Sequence, residues 1–290
     1  MRLTRFAPAK VNLFLHVGPV AADGYHPVCS LMVFADVGDW VSLDPDAASG
    51  LHIQGPFGLA LEGGDNLVLA ARDRFHDRFG PPPQAFGLIL DKQLPIAAGL
   101  GGGSADAAAT LRLLAQARGV DPAEHGPIGD IARGLGADML ACLRARPVLG
   151  EGRGDRLAPA PDLPPLDAVL VNPGIPSSTA AVYRAFDSAP AGPGADRPDP
   201  VAELTTARRV AEFLAGRRND LEAPAVALQP LIGAALASLA AQPETLLARM
   251  SGSGATCFAL CENAAAARTL AARLVADHPA WWIRACRLSG

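Results

Sequence analysis

The chain has 290 residues, enough for two modest domains or one large one, and half of it is apolar, with alanine at 57 positions. Net charge is −4 with scattered basic residues and no Lys/Arg-rich block, which argues against nucleic acid as a partner. Five irregularly spaced cysteines form no CxxC pair, so free thiols in a reducing compartment are expected rather than a disulfide or zinc framework. One oddity stands out: 23 of the 25 basic side chains are arginine, and lysine occurs only at positions 10 and 92.

Residues 1–22 carry Arg2 and Arg5, then an apolar stretch that Lys10, Asn12 and His16 interrupt. No signal-peptide core forms there, and no apolar run elsewhere is long enough for a membrane span. A soluble cytoplasmic protein is expected, with no membrane partner and no obligate protein partner.

Apolar residues in segment 11–17 alternate with Asn12, Phe14 and His16, which predicts a strand with one partly polar face. Asp23-Gly24 marks a turn. Segments 30–35 and 39–43 predict two strands joined by a Gly38-Asp39 turn, and 51–54 another, followed by Gly-rich turns to Gly64. Near-helical spacing over 66–79 predicts a helix capped by Asp65 or Asn66 and ended by Pro81-Pro82-Pro83. A short strand is expected at 86–90.

A Gly-rich loop from Pro95 to Ser104 runs into an Ala/Leu-rich helix expected over 105–118. A helix at 128–135 and an apolar stretch to residue 143 follow. Four prolines within 159–165 mark a linker or domain edge. Beyond it lie a strand at 168–171, a Pro/Gly-rich loop at 188–200, helices at 201–215 and 223–241, a strand at 257–261, a helix at 264–278 and a last strand at 282–287. Strands and helices mix without βαβ alternation, which favours α+β over a doubly wound sheet.

The loop carries the strongest chemical signal. Glycines at 99, 101, 102 and 103 let backbone N–H groups face inward, and the next helix points its positive end at the loop. That combination suits a di- or triphosphate. A Walker A loop needs Gly-Lys, which occurs nowhere in the chain. A dinucleotide fingerprint fails as well, because Ser104 replaces its last glycine and no acidic residue follows a second strand at the right spacing.

The pattern P-x-x-x-G-L-G-G-G-S-A resembles the phosphate loop of the GHMP kinases. Ala7-Pro8-Ala9-Lys10-Val11-Asn12-Leu13 is similar to that family's first motif, and Met250-Ser251-Gly252-Ser253-Gly254-Ala255 to its third. Further segments match the branch that phosphorylates a cytidylyl diphosphate polyol: Asp23-Gly24-Tyr25-His26, Gly136-Ala137-Asp138, Asn172-Pro173-Gly174 and Arg218-Asn219-Asp220-Leu221-Glu222. These stand in order over nearly the whole chain.

The resemblance implies two α+β lobes, an N-terminal ribosomal-S5-domain-2-like lobe over 1–157 and a C-terminal ferredoxin-like lobe over 158–290. It implies small-molecule substrates only, with ATP as phosphoryl donor and Mg²⁺ accompanying it. Asp138 is the implied base on the substrate hydroxyl, and Lys10 the lysine that assists. Pro95, Ile96, Ala97, Ala98, Gly99, Leu100, Gly101, Gly102, Gly103, Ser104 and Ala105 would hold ATP. Asn66 matches a position near the adenine, with helix capping as its rival role. Tyr25, His26 and Tyr183 would hold the cytosine, and Asn12 and Thr179 other parts of the substrate. Lys92 is either a phosphate contact or a solvated strand end. Ser104 is a candidate for Mg²⁺ or a phosphate; the loop helix has no Glu equivalent to the metal ligand of other family members, and Asp106 is its only acid. The family usually has Val-Pro after its base; this chain has Met139-Leu140.

Overall fold

The strand predicted at 11–17 is the second half of a longer one, β1 (Leu3–Val17). Its polar residues do not face solvent, for Lys10, Asn12 and His16 are all buried. Burying them is costly unless each finds partners, so their hydrogen bonds shape what surrounds them. The computed structural model describes residues 1–61, 66–82, 85–123, 125–188, 192, 194–199 and 203–289. Gly63, Gly64, Asp65, Pro83, residues 189–191, 193 and 200 of the predicted loop 188–200 and the start of the predicted helix 201–215 lie outside the described residues.

Contacts divide the chain into two units. The first comprises Met1–Ala9, Gly38–Ile96 and Gly101–Ala145; the second comprises Lys10–Val37, Ala97–Leu100 and Arg146–Gly290. Strands β1 and β2 (Val28–Asp44) pair with each other and supply residues to both units. The two strands predicted at 30–35 and 39–43 are thus one. Gly38 is no turn: a Cβ there would overlap the Ala7 carbonyl, so the glycine serves close strand approach.

In the first unit, β3 (Gly50–Gln54) runs parallel to β4 (Gly87–Asp91), and β4 is antiparallel to residues 40–44 of β2. Helix α1 (Leu67–Phe79) is capped by Asn66, whose Oδ1 accepts from Val68 N at 2.9 Å. Helix α2 (Gly102–Arg118) starts three residues earlier than its composition suggested, and it buries Ala105 to Leu111 without a break. Its alanines let α1, α3 (Pro127–Arg133) and α4 (Met139–Arg144) pack closely around it.

In the second unit, β5 (Val148–Gly152) pairs with β2 and with β6 (Arg156–Pro159). β7 (Leu166–Asn172) leads to helices α5 (Thr179–Asp187), α6 (Ala207–Ala215), α7 (Glu222–Leu228) and α8 (Pro230–Ala240). Then come β8 (Thr245–Met250), β9 (Cys257–Cys261), α9 (Ala264–Asp277) and β10 (Trp282–Ser289). The sheet order β10-β7-β9-β8 is antiparallel throughout, which is the ferredoxin-like arrangement. Val169, Val171, Ile232, Leu239, Cys257, Leu270 and Leu274 lie in its core, each large aliphatic contributing roughly 1.5–3 kcal/mol by burial.

The helix predicted over 223–241 is two helices, because Pro230 has no N–H to continue the ladder and opens a new helix instead. The helix predicted from 201 begins at Ala207, where Thr206 caps it. β5, β6, β8 and α5 have no counterpart among the predicted elements. All five cysteines are buried, and burial pushes the thiols of Cys29, Cys257, Cys261 and Cys286 up, Cys29 to about 11 and Cys261 to about 12. Among the described residues no helix is long and apolar enough to cross a membrane.

Candidate active site

The Gly-rich loop is split between the units. Pro95 and Ile96 and residues 101–105 belong to the first, and Ala97–Leu100 to the second. Positive φ angles at Ala97 (51°), Gly99 (73°) and Gly101 (61°) bend it tightly. Gly101 occupies the N-cap of α2 without any capping side chain, so the first-turn N–H groups of Gly102, Gly103 and Ser104 have no such acceptor. Their dipole favours an anion. Gly103 is exposed, and the position of its absent Cβ is 3.5 Å from Leu67 Cδ1, beside the capping Asn66.

Ala97–Leu100 is fastened inside the second unit by neutral hydrogen bonds. Ser177 N donates to Ala97 O (3.1 Å), Thr256 N to Ala98 O (3.0 Å), Ser251 Oγ to Gly99 O (2.9 Å) and Lys10 N to Leu100 O (2.8 Å). A Cβ at Gly99 would overlap the Ser251 carbonyl and stand 2.9 Å from the Gly254 carbonyl, so only glycine lets this turn approach.

Lys10 and Asn12 belong to the same network. Lys10 Nζ donates to Asn12 Oδ1 at 2.7 Å, and Asn12 Nδ2 donates to Ser30 Oγ at 2.7 Å. Ser30 Oγ donates to Phe14 O (2.6 Å), while Asn12 N donates to Ser251 Oγ (3.1 Å). The first and third motifs and residues 97–100 of the loop are therefore one hydrogen-bonded assembly.

The residues expected to hold a nucleobase also cluster in the second unit. His26 and Tyr183 rings lie 5.0 Å apart at 32°, and Phe186 meets His26 edge-on at 5.7 Å. His26 Nδ1 is 2.8 Å from Gly18 O, and Nε2 is 3.2 Å from Asp187 Oδ1. Tyr25 is exposed, and the Arg153 guanidinium lies 3.7 Å over its ring, held by Asp23 at 2.7 Å. Thr179 Oγ1 is 2.8 Å from Ser253 Oγ, on the turn that carries Ser251.

Asp138 stands in the first unit at the N-cap of α4, half-buried, with φ −77° and ψ −10°. Met139 to Leu143, where the family pattern has Val-Pro and apolar residues, are all buried and helical. The aspartate is thus anchored by the hydrophobic helix behind it rather than by a proline.

Lys92 fits neither role considered for it. Its ammonium is buried, 2.6 Å from Asp39 Oδ2 and 2.7 Å from Asp106 Oδ2. Asp39 is a partner that sequence reasoning missed, since no pattern links it to a lysine 53 positions away. Among the described residues no group of three or more His, Cys, Asp or Glu is placed to hold a metal ion.

Comparison with known proteins agrees with this geometry. The model of the GHMP kinases N terminal domain matches residues 66–145, and that of the GHMP kinases C terminal domain matches residues 202–280. A 4-diphosphocytidyl-2-C-methyl-D-erythritol kinase of Caulobacter vibrioides is 57% identical over the whole of both chains. One from Methylobacterium radiotolerans is 49% identical over 96% of each. The crystal structure of a 4-(cytidine 5'-diphospho)-2C-methyl-D-erythritol kinase superposes with a TM-score of 0.77, at 33% identity, covering 99% of this chain and 100% of that one. Homoserine kinase from Cytophaga hutchinsonii shares the fold, with a TM-score of 0.64 at 19% identity over 99% of this chain and 95% of its own. With its phosphate loop, its two α+β halves and these full-length relatives, the chain belongs to the GHMP kinase family, among the 4-diphosphocytidyl-2-C-methyl-D-erythritol kinases.

Proposed function

We propose that the chain transfers the γ-phosphoryl group of ATP to the 2-hydroxyl of 4-diphosphocytidyl-2-C-methyl-D-erythritol, on the non-mevalonate route to isoprenoid precursors, in the cytoplasm. The observation that carries this reading is the His26–Tyr183 ring pair, in a chain 57% identical to a kinase of that name. A flat pyrimidine is recognised by such rings and by the polar edge of His26.

Asp138 takes the proton from the attacking hydroxyl. The freed oxygen bonds to the γ-phosphorus while the bond to the bridging oxygen breaks, and ADP leaves. Lys10 offsets negative charge on the transferring group, and the backbone of residues 95–105 holds the phosphates, with Asn66 near the adenine. Tyr25, His26 and Tyr183 hold the cytosine, while Asn12 and Thr179 contact the polyol diphosphate. Mg²⁺ enters as part of the MgATP substrate, and no step is assigned to a metal held by the protein. We assign the phosphate loop, Lys10 and Asp138 to the N-terminal lobe, 1–157, and Thr179 and Tyr183 to the C-terminal lobe, 158–290.

The test is a coupled assay that offers the cytidylyl substrate beside homoserine and mevalonate. ATP turnover with only one of the latter two overturns the reading. Asp138→Ala lowers kcat by about 10³-fold while ATP still binds. Near-normal turnover of that variant removes Asp138 as the base.

A further inference from the structure

We infer that Lys92 is a positioning residue of the phosphate loop, acting through Asp39 and Asp106 rather than on phosphate. The inference rests on the ATP-dependent reading above.

The three side chains come from three elements of the first unit. Asp39 lies on β2, Lys92 directly follows β4, and Asp106 sits near the start of α2. Their side chains are 0%, 3% and 2% exposed, so solvent does not compete for these contacts. The second Asp39 oxygen, Oδ1, accepts from Gln93 N at 2.6 Å and Leu94 N at 2.8 Å, the two residues before Pro95. A single ammonium therefore ties the start of the loop to the start of the helix that ends it.

The helix passes directly over this charge. A Cβ at Gly102 would lie 3.1 Å from Lys92 Nζ and 3.7 Å from Asp39 Oδ2. Gly102 supplies one of the uncapped N–H groups, so its height above the ammonium sets where an anion is met. A compact ammonium fits beneath it; a planar five-donor guanidinium is larger and differently shaped. That accounts for a lysine here in a chain that uses arginine at all but two of its basic positions.

The charge balance agrees with a positioning role. Burial pulls the Lys92 ammonium down, but Asp106 and Asp39 more than offset it, and the net shift is upward, so the lysine stays charged. Burial pushes the Asp106 carboxyl up, helped by Asp39 and against the pull of Lys92. Asp106 Oδ1 is buried and has no hydrogen-bond partner among the described residues, so Lys92 is what orients this carboxyl.

The test uses Asp106→Ala in the full chain. This variant leaves the Lys92–Asp39 pair intact and removes the unpartnered oxygen, so it should fold with a near-normal Tm. ATP affinity, measured calorimetrically without acceptor, should weaken about tenfold, as expected for losing a hydrogen bond to a charged group. KM for the cytidylyl substrate should stay unchanged. Asp106→Asn, which keeps an acceptor oxygen for Nζ, should restore ATP affinity. Unchanged ATP affinity in Asp106→Ala overturns the inference. Tighter binding also overturns it, because a released ammonium would then be reaching phosphate directly, and so does an equal loss toward both substrates. Should Asp106→Ala not fold, Asp106→Thr refills the space without reaching the ammonium, and the same expectation applies. If the unmodified chain binds ATP but phosphorylates no acceptor, the proposed function fails while the calorimetric comparison still decides the clamp.

Discussion

The two halves of the phosphate loop are held in opposite ways. Residues 97–100 hang on several neutral hydrogen bonds from Lys10 N, Ser177 N, Ser251 Oγ and Thr256 N. The flanking segments, 92–94 and 102–106, converge on one buried ammonium and two carboxylates. A distributed neutral network loses little when one member goes, since each bond is worth about 1 kcal/mol net. An ionic clamp concentrates its energy, because removing the central charge leaves two buried carboxyl groups without their shared donor. The difference teaches that a single loop can be redundant on one side and depend on one residue on the other.

The sharpest way to break this comparison is Lys92→Met. It leaves Asp39 and Asp106 buried without their cation and should cost about 3–5 kcal/mol of stability, read from chemical denaturation. A loss below about 1 kcal/mol would put Lys92 on the same footing as a surface pair. Ser251→Ala comes next. It deprives Gly99 O of a donor and Asn12 N of an acceptor, and should cost about 2 kcal/mol. A loss as large as that of Lys92→Met would show that the neutral side is not redundant.

The smallest effect separates the two sides by pH. His16 lies on β1 in the second unit, and burial lowers its pKa, with the hydrogen bond from its ring Nδ1 to Asp196 O opposing the shift. A histidine held neutral in the folded state binds fewer protons than it does unfolded, so stability is present above pH about 6.5 and is lost as pH falls below it. His16→Gln should flatten that acid limb in thermal melts between pH 7 and pH 5. An unchanged limb would assign it to other groups.

Much of the fold was legible because its signals are local. The strand at 257–261 and the helix near 264–278 match β9 and α9 almost residue for residue. Glycines followed by an alanine-rich run announced the loop and α2, both contiguous in the chain. The clusters His26–Tyr183 and Asn12–Ser251 join distant segments, and only family likeness pointed at those residues. Strand β8 was missed because Thr245–Met250 has no two-residue alternation; its pairing with β9 decides it. Gly38 read as a turn because glycine marks turns and close approach alike, and the sequence does not say which.

By itself, the sequence determined the phosphate loop, the kinase family and the oddity of two lysines among arginines. Glycine freedom, helix propensity and ordered motifs are written in adjacent residues. Tertiary structure alone decided what the two lysines touch. Lys92 meets carboxylates 53 and 14 positions away, and Lys10 Nζ meets an amide two positions along its own strand. Periodicity reports which face of an element is buried. The energy of a buried charge depends instead on a few ångströms of separation from groups that only folding brings together.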